Sequence, residues 1–390
     1  LFTDGSVRVA GAADRPVFSF VYKAAAEIGE LGDNTRRLRA SIMADNLLRL
    51  ALTAPEARLT LLGHTRWASV GIVSEPNCHP INSDELGNSD ELGNSDEIVA
   101  STAPRPYVIG ALNGDVDNHA DLKAEHGLSI AGPITTDAKV IPTLVARYGA
   151  RGNSLVESFR RSVASFEGSV AIGAASADEP EQLLLALRGS GQALYVGLAE
   201  DCFVVASEPY GLVEETSRYI RVDGESLQGD ATSRGQVFVL SAAQAGELAG
   251  VRRLSYDGTE LPVTEADVVT AEVTTRDINR GDAPHFLLKE ISEAPESFRK
   301  TLRGKIVEVV PDGSTSAAVQ LRADVGETAL PASIARRLAD GSLRKVIVIG
   351  QGTAAVAGSS MAAILTPLVA GGLDVDTTVA TELSGFHLRL

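Results

Sequence analysis

Four short apolar runs stand almost end to end: Ser169 to Ala175, Gln182 to Arg188, Ala193 to Leu198 and Cys202 to Ser207. Only a few residues, with Gly or Asp/Glu turns, part each run from the next. A parallel connection needs a crossover of a dozen or more residues, so strands this close read as antiparallel neighbours. The spacing argues against a doubly wound parallel sheet here. Leu59 to Trp67 and Tyr107 to Asn113 are further strand candidates, the second closing on Asn113-Gly114. Gly235 to Leu240 and an Asp257-Gly258 turn continue the series. Two helices interrupt it. Asp137 to Tyr148 places Val140, Ile141, Leu144 and Val145 at helical spacing, and Ser154 to Phe166 is amphipathic.

The pattern changes near residue 265. Glu265 to Pro284 is polar without a core face and reads as a linker. Beyond it, His285 to Leu302 and Leu330 to Ala339 have helical periodicity. Lys345 to Gly350 is then a β-branched run that enters a glycine turn and a small-residue helix, Thr353 to Val369, the opening of a parallel βα unit. The expected organisation is a domain over 1–264, a linker over 265–284 and a partial α/β domain over 285–390. A length of 390 residues suits two or three domains. Both ends read as cut, because Leu-Phe-Thr-Asp-Gly resembles the middle of a strand and turn, and one βαβ fragment cannot cover both faces of a parallel sheet.

Charge narrows the function. Lys plus Arg number 35 against 51 Asp plus Glu, a net charge of −16, which disfavours a phosphate-tracking nucleic-acid binder. No run of roughly 18 apolar residues suggests a membrane span, and the first residues have no signal-peptide pattern. Cys78 and Cys202 match no zinc or disulfide framework, which fits a reducing cytoplasm, and no metal or cofactor is expected. Asn-Ser-Asp-Glu-Leu-Gly at 82–87 recurs at 88–93, and its first four residues return at 94–97. This tandem repeat reads as a lengthened solvated loop; its acidic pairs lack the spacing of a calcium loop.

The richest segment is Gly63-His64-Thr65-Arg66-Trp67-Ala68-Ser69, followed by Ser74-Glu75-Pro76-Asn77 and His79-Pro80. It joins a guanidinium, the single Trp of the chain and a hydroxyl. Arg66 can grip a carboxylate in a bidentate fork, although a surface ion pair beside a core or rim aromatic is the commoner role for such a pair. Asn113-Gly114, trailed by Asn118 and His119, suits either a hairpin turn or an oxyanion hole of an amide and a backbone N–H. Asp137 after Thr135-Thr136 suits a helix cap as readily as a ligand site.

In order along the chain, these segments resemble the glutaminase half of the glutamine:fructose-6-phosphate aminotransferase (isomerising) family. That family carries GHTRWAT, SEPNAHPH, a strand ending HNG followed by ENH, and SDTE at a helix start. Here the corresponding stretches are GHTRWAS, SEPNCHP, LNGDVDNH and TTDAK. The match continues through Phe166-Glu167-Gly168, Ala206-Ser207-Glu208, Asp223-Gly224-Glu225, His285 to Ile291 and Thr301 to Gly304. It ends at Gly350-Gln351-Gly352-Thr353, which resembles the CGTS loop of the family's sugar-isomerase (SIS) domain.

The resemblance implies an α+β N-terminal-nucleophile (class II glutamine amidotransferase) α-β-β-α sandwich, followed by the start of an SIS-type parallel α/β domain. Arg66 with Ser69 would hold glutamine's α-carboxylate and Asp137 its α-ammonium. Asn113 and Gly114 would form the oxyanion hole, Trp67 would gate an ammonia channel, and Thr353 would touch a sugar phosphate. The implied partners are glutamine, fructose-6-phosphate and, through a complete SIS domain, a second copy of the chain, in a cytoplasmic amino-sugar pathway. The implied nucleophile is an N-terminal cysteine; here the chain starts at Leu1, while Cys202 is expected to be a buried structural thiol and Cys78 a loop or packing residue.

Other departures are Val70 and Leu112 in place of family histidines, Ala138-Lys139 in place of Thr-Glu, and Ala354 in place of a serine. Two alternatives follow. One is another class II amidotransferase, such as the asparagine synthetase or phosphoribosyl-pyrophosphate amidotransferase type, against which the His285 segment and the SIS-like ending argue. The other is a non-catalytic protein that senses glutamine or a sugar phosphate. Gly350-Gln351-Gly352 also echoes a dinucleotide fingerprint, but only Asp374 and Asp376 offer an acidic ribose partner.

Overall fold

The computed structural model describes residues 7–25, 32–65, 70–86, 105–189, 191–226, 234–271, 280–309, 320–369 and 372–380. The chain divides into two compact units, Leu1–Asn279 and Arg280–Leu390.

The first unit opens with an antiparallel hairpin of β1 (Val7–Ala12) and β2 (Arg15–Phe20), then α1 (Asp33–Ala44) and α2 (Asn46–Leu52). Neither helix buries a residue. There follow β3 (Ile81–Asn82), β4 (Val108–Gly114), α3 (His119–Glu125), α4 (Val140–Ala150) and α5 (Leu155–Ala164). The strand series is β5 (Val170–Ser176), β6 (Gln182–Arg188), β7 (Tyr195–Leu198), β8 (Phe203–Ala206) and β9 (Arg218–Arg221). It closes with β10 (Gln236–Ser241), β11 (Val251–Ser255), β12 (Glu260–Leu261) and β13 (Val268–Thr270).

These strands make a seven-stranded sheet, ordered β12-β11-β10-β6-β5-β4-β3, and a four-stranded sheet, β13-β9-β7-β8. All their pairings are antiparallel, as the short connections require. Period two sorts the side chains of β5, β6 and β10 into two cores. Val170, Ile172, Ala174, Leu184, Ala186, Val237 and Val239 join Ile141, Leu144, Val145, Phe159 and Val163 of the helices. Ala171, Leu185, Leu187, Phe238 and Leu240 instead pack with Val196, Leu198, Ile220 and Val222 toward the smaller sheet. These strands are apolar at successive positions because both faces are covered. The unit is thus α+β, a sheet-on-sheet sandwich with helices outside the larger sheet, three of the four expected layers among the described residues.

Two expectations change. Residues 59–65 form no strand; Leu59 and Leu61 stay exposed, while Leu62 reaches over Gly173 of β5. The first residues of the expected linker belong to the first unit. Thr264 and Asp267 cap each other reciprocally at the turn Glu265–Asp267, Arg253 pairs with Asp267 at 2.9 Å, and β13 then pairs with β9.

The second unit contains α6 (Phe286–Leu302), the antiparallel pair β14 (Ile306–Val309) and β15 (Gln320–Ala323), α7 (Gly326–Ala329) and α8 (Ala332–Ala339). Next come β16 (Lys345–Gly350), α9 (Thr353–Leu368) and β17 (Asp374–Val379). The last strand pairs parallel with β16, as the βα pattern predicts. Within α9, Gly358 and Ala362 are the buried pair, and a Cβ on Gly358 would meet Val348 at 3.0 Å. Ala354 and Ala357 of the same small-residue helix are exposed.

Candidate functional site

Asn113 and Gly114 end β4 and pair with Ala171 and Val170 of β5. They do not form a hairpin turn, since the chain runs on through Asp115–Asn118 into α3. Gly114 has φ 108°, and a Cβ there would stand 2.0 Å from the Ser169 carbonyl oxygen. Only glycine fits, for reasons of backbone alone. The loop that follows is zipped to the stretch before β5. Asp115 N donates to Ser169 O at 3.1 Å and Asp117 N to Glu167 O at 3.0 Å. Asn118 completes the zip, accepting Glu167 N at 3.0 Å and donating to Ser165 O at 2.9 Å. This fixes the strand end that carries Asn113, whose side chain is exposed.

Asp137 approaches the same loop from α4's side. It opens the short 3-10 turn Asp137–Lys139 but does not cap it. Its Oδ2 instead accepts the Val116 N–H at 2.8 Å, and its Oδ1 accepts the Thr136 hydroxyl at 3.3 Å. Asp137 is 3% exposed. Each oxygen retains acceptor capacity, so an ammonium can still be held there.

Residues 71–80 tie both pieces together. Asn77, 1% exposed, accepts Thr135 N at 2.8 Å and Thr136 N at 3.0 Å. The His79 Nδ1 accepts Leu112 N at 3.2 Å. Strand β3 is only two residues long, and the imidazole takes an N–H of β4 that lies beyond its reach. The His64 ring packs on His79 with centroids 4.6 Å apart.

A second buried cluster anchors the far side of the Asp137 turn. Lys139, 1% exposed, donates to the carbonyls of Asn82 and Asp84 at 2.7 and 2.5 Å. Burial lowers its pKa to about 8, against the pull of Asp84 and Glu85. Glu85 accepts Arg147 through both oxygens at 2.7 Å, together with Ser129 N at 2.7 Å and Arg105 at 2.5 Å. Burial alone would raise the Glu85 carboxyl pKa; the Arg147 and Ser129 hydrogen bonds and both guanidinium charges hold it below the usual range. Within the first copy of the tandem repeat, Ser83 and Glu85 are therefore docked, while Asp84 and Leu86 face solvent.

Asn113, Gly114 and Asp137 are thus brought to one place. Arg66, Trp67 and Ser69 lie outside the described residues, as do repeat residues 88–97. Thr353 starts α9 in the second unit after Gly352, with no side-chain cap. Cys78 donates to Ser74 O at 3.5 Å and Ala24 O at 3.7 Å. Cys202 is half-buried rather than buried, and burial together with Asp201 raises its thiol pKa. The sequence pattern gives no sign of the positional roles of Asn77, His79 and Lys139; Asn77 and His79 sit in the Ser74–Pro80 segment, and a buried carboxamide looks no different in sequence from a loop one. Among the described residues, no group of three or more His, Cys, Asp and Glu could hold a metal, and no helix is long and apolar enough to cross a membrane.

No protein-family model matches the chain. At the level of class, the chain is similar to glutamine-dependent aminotransferases. Glutamine–fructose-6-phosphate aminotransferase [isomerizing] of Streptococcus mutans serotype c is 28% identical over 257 residues, 65% of this chain and 35% of that one. The protein of that name from Streptococcus pneumoniae serotype 4 is 27% identical over 274 residues, 69% of this chain and 39% of its own. That from Oceanobacillus iheyensis is 28% identical over 242 residues, 62% and 34%. The chain spans little more than a third of the length of these relatives. Among solved structures, glutamine phosphoribosylpyrophosphate amidotransferase from B. subtilis superposes at a TM-score of 0.37 with 16% identity, covering 81% of this chain and 66% of that one.

Proposed function

We propose that the first unit binds glutamine and handles its carboxamide, as the donor half of a glutamine-dependent sugar-phosphate aminotransferase. The observation that carries this is the link between two motifs: the buried Asp137 carboxylate is hydrogen-bonded to the loop that leaves Asn113-Gly114. A free amino acid needs opposite charges at its two ends. Asp137 would take the α-ammonium and Arg66, with Ser69, the α-carboxylate, so the side-chain amide points toward the end of β4. There the Asn113 carboxamide and the Gly114 N–H would stabilise the oxyanion that forms when the carbonyl is attacked. Cys78 and Cys202 are internal residues and receive no catalytic role in this reading.

Ammonia released from glutamine would pass to a ketose phosphate, fructose-6-phosphate by analogy with the relatives' names, giving glucosamine-6-phosphate and glutamate. Trp67 would gate that transfer. The second unit would contribute Thr353 and the glycine turn before α9 to the phosphate, through backbone N–H groups and a hydroxyl. A glutamine-sensing protein would use the same binding groups and release no glutamate. Arg66→Ala should raise the glutamine concentration needed for half-maximal glutamate release by about tenfold or more. Trp67→Ala should keep glutamate release and lose amino-sugar formation. Unchanged glutamine saturation in the first variant, or parallel loss of both activities in the second, would remove those roles. Glutamine binding without any glutamate release would favour the sensor.

A further inference from the structure

We propose that Asn77 is a positioning residue of the glutamine site, holding Asp137 at the distance from β4 that an α-ammonium requires. The inference rests on the glutamine reading and adds a group that touches no substrate. Asn77 ends the short turn Glu75–Asn77, buried at 1% exposure. Its carboxamide works in both directions. The Nδ2 donates to Ser74 Oγ at 2.9 Å and to Pro133 O at 3.1 Å. The Oδ1 accepts the consecutive N–H groups of Thr135 and Thr136 at 2.8 and 3.0 Å.

Those two amides immediately precede Asp137. Held by one buried acceptor, the backbone at Thr135–Thr136 cannot shift without breaking two hydrogen bonds, one part-buried and one buried, and Asp137 keeps its contact with Val116 N. The contact is reinforced locally, because Ile72 N donates to Thr135 Oγ1 at 3.2 Å and Gly71 packs against Thr135 and Thr136. Two residues further on, His79 fixes Leu112 N, next to Asn113. One segment therefore sets both walls of the site. No other neutral side chain of this size offers two donors and a shared acceptor. An aspartate would keep the acceptor but face Pro133 O and Ser74 Oγ without donors.

The test uses the chain as it stands, with calorimetric titration of glutamine and amide hydrogen exchange. Asn77→Ala is expected to weaken glutamine binding on the order of tenfold, at a temperature well below its unfolding midpoint. Asn77→Asp, which retains the acceptor, is expected to recover part of that loss. Exchange at Thr135 and Thr136 should quicken in Asn77→Ala, while Leu112, held by His79, stays protected. A lowered midpoint with glutamine affinity unchanged would make Asn77 merely structural and overturn the proposal. If the unaltered chain binds no glutamine, the functional reading fails separately; the exchange measurement still decides whether Asn77 holds the Asp137 backbone, and unchanged protection at Thr135 and Thr136 would refute it. Should Asn77→Ala not fold, Asn77→Ser and Asn77→Asp carry the same comparison.

Discussion

The carboxylate of Asp137 accepts the backbone N–H of Val116 at 2.8 Å, three residues after Asn113. A charge that could have capped its own turn is spent across a gap between two loops. Asp137→Asn keeps an acceptor for that N–H and should cost less than about 1 kcal/mol of stability. Asp137→Ala leaves the buried amide unsatisfied and should cost about 2 kcal/mol. Urea denaturation of both variants measures the difference, and equal losses would mean the Val116 bond does not hold the loop.

Gly114→Ala should be far more damaging than its size suggests. The new Cβ meets the Ser169 carbonyl in a left-handed backbone conformation. A loss on the order of 3 kcal/mol or more is expected, read as a lowered urea midpoint or loss of soluble protein. A variant as stable as the parent would show that β4 ends differently.

Lys139 predicts a rise of stability with pH. Its folded pKa, lowered to about 8, lies below that of an unfolded lysine, so between the two values the unfolded chain binds more protons. The contribution therefore improves as pH climbs from about 8 toward about 10.4. Comparing urea stability with Lys139→Met at pH 7 and pH 10 isolates it. The difference should move in favour of the parent at the higher pH; a difference independent of pH would contradict it.

Glu85 acts at the other end of the scale. Its depressed pKa means its stabilisation is complete above about 4.3 and fades as pH falls through the folded value. Glu85→Gln breaks a part-buried, charge-assisted pair with Arg147 and should cost about 2 kcal/mol near neutrality, with the gap closing in acid. A cost that persists unchanged in acid would assign it to packing instead.

Much of the fold was legible because burial on both faces leaves a continuous apolar signature. The runs at β5, β6 and β10 fall within a residue or so of the observed strands, and β16 coincides with its expected span. The hairpin β1–β2 left no such trace, since its turn, Ala13-Asp14, lacks the usual Asn-Gly signal. Helix α1 buries nothing, and its apolar residues are outnumbered by polar and charged ones. Residues 59–65 misled for the opposite reason, carrying Leu59, Leu61 and Leu62 without joining a sheet. At the site, the motif residues Asn113, Gly114 and Asp137 could be named from sequence. Their supports could not, because Asn77, His79 and Lys139 act through main-chain partners 33 to 59 positions away, and no local pattern encodes such contacts.

The most direct test of the account pairs Asp137 with the group it is said to hold. Calorimetry should compare L-glutamine with glutaramic acid, which lacks the α-amine, on the parent chain and on Asp137→Asn. The account predicts that the parent prefers glutamine by on the order of tenfold or more, and that Asp137→Asn loses the preference while binding glutaramic acid as before. A preference that survives the substitution, or a parent that does not distinguish the two ligands, would contradict the placement of the α-ammonium at Asp137.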